Sequence, residues 1–122
     1  MNYLTHDQLE MALSGRRAVE QWLGVREDGG RRVIRWVRIE PRKAGGYVVR
    51  IREVFDTGND HFFDVSEFEP IDLDEPEGIV KNFDDWQSAL AHASSLGAAK
   101  DRFFPHGRIQ DVYRDFRQHG RN

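Results

Sequence analysis

The chain has no cysteine. Disulfides, thiolate nucleophiles and cysteine-based zinc sites are therefore excluded. Long apolar runs are also missing. The uncharged hydrophobic stretches span a few residues each, far short of the ~20 needed to cross a bilayer. The opening segment, MNYLTHDQLEMAL, lacks the basic start and apolar block of a signal peptide, so a cytoplasmic location is expected. Basic residues vanish for a long interval: apart from His61, none stands between Glu53 and Lys81. Neither G-x-G-x-x-G nor G-x-x-x-x-G-K-[ST] occurs, and H-E-x-x-H and G-x-S-x-G are absent too. The glycine pairs Gly29-Gly30 and Gly45-Gly46 read as hairpin turns.

What remains is apolar enough for a core, with 39% hydrophobic and 32% charged residues in 122 positions. That length suits one domain, residues 1–122. The net charge of −3 disfavours a general nucleic-acid binder.

The chain is organised around Arg31 to Phe55. Two runs rich in β-branched and aromatic residues flank a turn cluster from Pro41 to Gly46, which predicts a strand hairpin. A preceding strand is expected over Ala18 to Arg26, with helix as the alternative; Val19, Leu23 and Val25 would share one side and Glu20, Trp22 and Gly24 the other. In the second and third strands the odd positions, among them Val33, Val37, Ile39, Val49 and Ile51, form the better core face. The even face carries Trp36, Arg38, Arg50 and Arg52. A fourth strand is expected over His61 to Ser66.

Helical spacing appears three times. Thr5 caps a short segment to Leu13. Asn82 is the expected cap of a second helix, with Asp84 and Asp85 in its first turn and Gly97 as its stop. The third covers about Arg108 to Gln118, with Ile109, Val112, Tyr113 and Phe116 on one face and Gly120 beyond it. The expected architecture is α+β: an antiparallel β-meander of about four strands, with one N-terminal and two C-terminal helices packed on one face.

Three features bear on chemistry. The segment from Glu67 to Lys81 concentrates carboxylates, Glu67, Glu69, Asp72, Asp74, Glu75 and Glu77. Phe68, Ile71 and Leu73 are expected to tack it to the body. Carboxylates beside apolar anchors make a docking surface for a basic protein, which Asp84 and Asp85 would extend. EF-hand spacing is absent, and no metal or cofactor is expected. The even sheet face, with Trp22, Trp36, Arg38, Arg50, Arg52 and Phe62, is the alternative: aromatics between arginines suit stacking on bases and contacts to phosphates. Arginine stems covering a tryptophan-rich solvent face would look the same. Finally His61, beside Asp60 and near Asp56, offers a base with a carboxylate orienter, but His6, His61, His92, His106 and His119 are scattered. No residue is marked as catalytic and no enzyme is expected.

The segment GRIQDVYRDF, following an alanine-rich amphipathic helix that carries Trp86, together with the size, charge and architecture of the chain, resembles the bacterial immunity proteins of contact-dependent growth inhibition and related polymorphic toxin systems. The resemblance implies a protein that binds and blocks one cognate toxin domain, very often a nuclease. A nuclease presents a basic cleft, which a carboxylate-rich surface suits. Nucleic acid is then not the expected direct partner, and the resemblance implies no particular oligomeric state.

Overall fold

The computed structural model describes residues 2–59 and 61–119. In this range the chain forms α1 (His6–Ser14), β1 (Val19–Asp28), β2 (Arg31–Pro41), β3 (Tyr47–Phe55), a 3-10 turn (Val65–Glu67), β4 (Ile79–Phe83), α2 (Trp86–Ser95), β5 (Phe104–Pro105) and α3 (Ile109–His119). The fold is α+β, with one antiparallel sheet of order β4-β3-β2-β1-β5.

Local chemistry explains most of these elements. Thr5 and Gln8 form a reciprocal capping box, with the Thr5 N–H donating to Gln8 Oε1 at 2.9 Å and the Gln8 N–H to Thr5 Oγ1 at 3.2 Å. Residues 19–28 are strand, not helix. They carry a bulge: Trp22 stands opposite Trp36, but Gly24 stands opposite Arg35, leaving Leu23 as the extra residue. Gly24 has φ +104°, open to glycine without strain. The bulge reverses the side-chain alternation beyond it. Leu23 packs with Val37 and Val49, while Val25 packs on the other side with Ile34 and Trp36.

The expected fourth strand over His61 to Ser66 does not form. Asn59 and Phe62 make an isolated bridge, and Asp64 caps the 3-10 turn by accepting from the Ser66 N–H at 3.1 Å. Phe62, Phe63 and Val65 all turn toward one core, which a flat strand cannot do. The strand beside β3 is instead Ile79–Phe83. Asn82 therefore lies in a strand opposite Val48 rather than at a helix start. The cap of α2 is Asp85, whose Oδ1 accepts from the Ser88 N–H at 2.7 Å. That bond holds the Asp85 carboxyl below its usual range. Gly120, expected to end α3, lies outside the described residues.

Both sheet faces are covered, which corrects the expectation of helices on one face. On the odd face, Val37, Ile39, Tyr47 and Val49 pack with Leu9 and Leu13 of α1 and Ala89, Leu90 and Ala93 of α2. On the even face, Ile34, Trp36 and Val54 pack with Phe68, Phe104 and, from α3, Ile109, Tyr113 and Phe116. The strong amphipathy of α3 has its reason here: it needs a second apolar surface, and the even residues supply it.

Candidate functional site

The even sheet face is not an open platform. Trp36 is 1% exposed, beneath α3 and Phe68. Trp22 packs on the Phe116 ring at 5.4 Å. Trp36 therefore has no face to offer a base, and half-buried Trp22 has one side of its ring committed to Phe116. The arginines are also engaged. Across the strands runs an alternating ladder: Glu20 to Arg38 at 3.2 Å, Arg38 to Glu40 at 3.7 Å, and Glu40 to Arg50 at 3.1 Å. Arg52 lies 5.2 Å from the Trp36 ring centroid, and burial lowers its pKa from the ordinary value.

Glu20 sits at the root of this ladder. Its side chain is fully buried. It accepts from Arg38 Nε and from the Gly107 N–H at 3.0 Å, and it lies 3.2 Å from His106 Nδ1. Sequence reading gave it no role, because its partners stand 18 and 86 residues away. Its place inside a strand otherwise rich in apolar residues is the one available signal.

The acidic segment is built around β3. Phe55 N–H donates to the Glu69 carbonyl at 2.8 Å, and Ile71 N–H to the Glu53 carbonyl at 3.2 Å. β4 then pairs with Tyr47 to Ile51 of the same strand. Between these two pairings residues 72–78 leave the sheet in two successive turns, closed by Glu75 N–H to the Asp72 carbonyl and Gly78 N–H to the Glu75 carbonyl. The excursion is fastened from below: Arg52 donates to the Pro76 carbonyl at 3.1 Å and Arg50 to the Glu77 carbonyl at 3.0 Å. The two candidate surfaces are thus one construction, with the arginines as the underside of the acidic ridge.

Glu67, Glu69, Asp72, Asp74, Glu75 and Glu77 are all exposed. Glu69 pairs with Arg31 at 2.7 Å. Among the described residues, Glu67, Asp72, Asp74, Glu75 and Glu77 form no ion pair, whereas Arg26, Arg35, Arg38 and Arg50 of the sheet all do. Arg26, Arg35, Arg38 and Arg50 are thus neutralised within the sheet; of the ridge carboxylates Glu77 feels the charge of Arg52, and Glu67, Asp72, Asp74 and Glu75 are left without an ion-pair partner among the described residues. Phe68 anchors the segment as expected, at 2% exposure, and Ile71 is half-buried. Leu73 does not anchor it: at 76% exposure it stands in solvent among the carboxylates. Asp84 and Asp85 are exposed too, but lie beyond Phe83, separated from the ridge by the whole length of β4. They flank the edge strand opposite the ridge instead of continuing it.

His61 is exposed, and its N–H donates to Asn59 Oδ1 at 2.8 Å. Asp60 lies outside the described residues. Asp56 is committed elsewhere, accepting from the Tyr113 hydroxyl at 2.6 Å. Among the described residues no group of three or more His, Asp or Glu is placed to hold a metal ion, and no helix is long and apolar enough to cross a membrane.

No protein-family model, no curated protein and no solved structure matches the chain.

Proposed function

We propose that this protein is a stoichiometric binding protein that neutralises a basic toxin domain, most simply a nuclease, in the manner of the immunity proteins of contact-dependent growth inhibition. One observation carries the reading: among the described residues Glu67, Asp72, Asp74 and Glu75 stand exposed on the ridge with no ion-pair partner, while Arg35, Arg38 and Arg50 of the sheet are paired with other carboxylates. A basic partner gains association rate from these ridge carboxylates, and exposed Leu73, Ile79 and Val80 add apolar contact beside the charge. The alternative reading, a nucleic-acid face, has no specific observation in its favour with Trp36 buried.

The test is affinity capture of the tagged protein from its host, followed by kinetics with the captured domain. The expected result is an equimolar complex with a basic domain whose toxic activity is suppressed. Asp72→Asn combined with Asp74→Asn should slow association several-fold at low salt and flatten its salt dependence. An unchanged rate and salt slope in that variant would refute the ridge as the binding surface. Recovery of RNA or DNA without a protein partner would refute the reading as a whole.

A further inference from the structure

We infer that the cleft at the root of β4 is the seat for an arginine side chain of the protein partner. The inference rests on the binding role proposed above and names the group that role leaves open.

β4 is the end strand of the sheet, and Ile79 and Val80 on it are 65% and 48% exposed. Where the ridge returns to this strand there is a cleft of about 120 Å³. Ile51, Ile71 and Ile79 give it apolar walls, and Asp72, Glu75 and Glu53 bring carboxylates to it. Gly78 has φ +89°, and a Cβ there would run into the Ile51 carbonyl, so only glycine permits this close turn into β4. Glu53 is held by Arg26 at 2.9 Å and Arg35 at 3.1 Å, both on Oε2. Among the described residues no cation pairs with Asp72 or Glu75.

Apolar walls closed by two unpaired carboxylates ask for a ligand with an aliphatic stem and a cationic head. Arginine and lysine both have the stem. Arginine fits better because Asp72 and Glu75 stand three residues apart on one turn, and a planar fork can meet two acceptors where an ammonium is a single point. Arginine also recurs as the anchor at the centre of interfaces. A second copy of the chain suits the site poorly. Antiparallel pairing of β4 with itself, centred on Lys81, would set Lys81 against Lys81 and each ridge against the other copy's Asp84 and Asp85. Phosphate is repelled outright.

The probe is a capped Val-Arg-Val peptide, titrated into the isotopically labelled full chain and followed by amide chemical shifts. The expected result is salt-sensitive shifts centred on Ile51, Gly78 and Ile79. Replacing arginine by citrulline, its neutral isostere, should weaken binding about tenfold, and lysine should bind less tightly than arginine. Asp72→Asn with Glu75→Gln should remove the shifts; both positions are exposed, so the fold is retained. Shifts confined to Glu67 and Asp74, or equal affinity for the arginine and citrulline peptides, would overturn the arginine seat while leaving the ridge a basic-partner surface. An absence of salt-dependent shifts anywhere over residues 67–83 would overturn both.

Discussion

Tyr113 shows how one side chain ties distant chain together. Its ring meets Phe68 edge-on at 5.2 Å, and its hydroxyl reaches Asp56 just beyond β3. Burial first, and then the bond to Asp56, push its pKa up to about 12. The folded state thus favours the neutral phenol more than the unfolded chain does. That contribution is complete below the ordinary value near 10 and is lost as pH rises from there through about 12. A spectrophotometric titration should show Tyr113 ionising late, coincident with loss of stability over that window. Tyr113→Phe keeps the ring and removes only the hydroxyl, so it should cost about 1.5–3 kcal/mol at neutral pH, measured by denaturant melts. It should also abolish the late ionisation. If the cost is near zero, Asp56 is satisfied without the phenol.

At the scale of elements, the sequence was most readable where composition and turn signals agreed and least where backbone chemistry overrode them. The hairpin from Arg31 to Phe55 was legible because two runs rich in β-branched and aromatic residues flank a Pro-Gly turn cluster, although Arg35 and Glu53 interrupt the odd face. β1 was legible as a strand but not in its facing, because one bulged residue, Leu23, moves Val25 to the opposite side. Gly24→Ala tests that bulge: with φ +104° a side chain is strained, and the variant should lose about 1–3 kcal/mol in a thermal melt. His61 to Ser66 has strand composition, yet the Asp64 cap closes a 3-10 turn in its middle. Ile79 to Phe83 was hidden by its neighbours, two prolines and a run of acids, and by Asn82, an equally good cap residue three positions before the actual cap, Asp85. Capping separates the two. Asp85→Ala should lower helix content and the melting temperature, whereas Asn82→Ala should leave both unchanged. Because the Asp85 carboxyl sits below its usual range, its contribution is present above the ordinary value of 3.8 and is lost as pH falls through the depressed one. Of the candidate site, the carboxylates were legible as a block of like charge. That Glu67, Asp72, Asp74 and Glu75 lack ion-pair partners among the described residues was not, since it depends on where Arg38 and Arg50 find Glu20 and Glu40 across the sheet.

At the scale of the whole molecule, two cores share one sheet. β2 and β3 send Val37, Ile39 and Val49 to the α1–α2 side and Ile34, Trp36 and Val54 to the α3 side. Neither layer has a backbone of its own, so the two should stand or fall together. Phe68 belongs to the α3 side alone and also anchors the ridge, packing 5.0 Å from Phe62 and 5.2 Å from Tyr113. Phe68→Ala should cost about 3–5 kcal/mol, a large share of the ~5–15 kcal/mol expected for a domain of this kind. The informative reading is where that loss appears. Native-state hydrogen exchange should speed up by the same factor at Val37 and Val49 as at Ile34 and Val54, because opening one side strips the strands from the other. Acceleration confined to the amides of α3 and the ridge would instead make that side a separately opening layer. The carboxylates, fastened through Arg50 and Arg52, would then be presented by a part of the molecule that moves while the α1–α2 side holds.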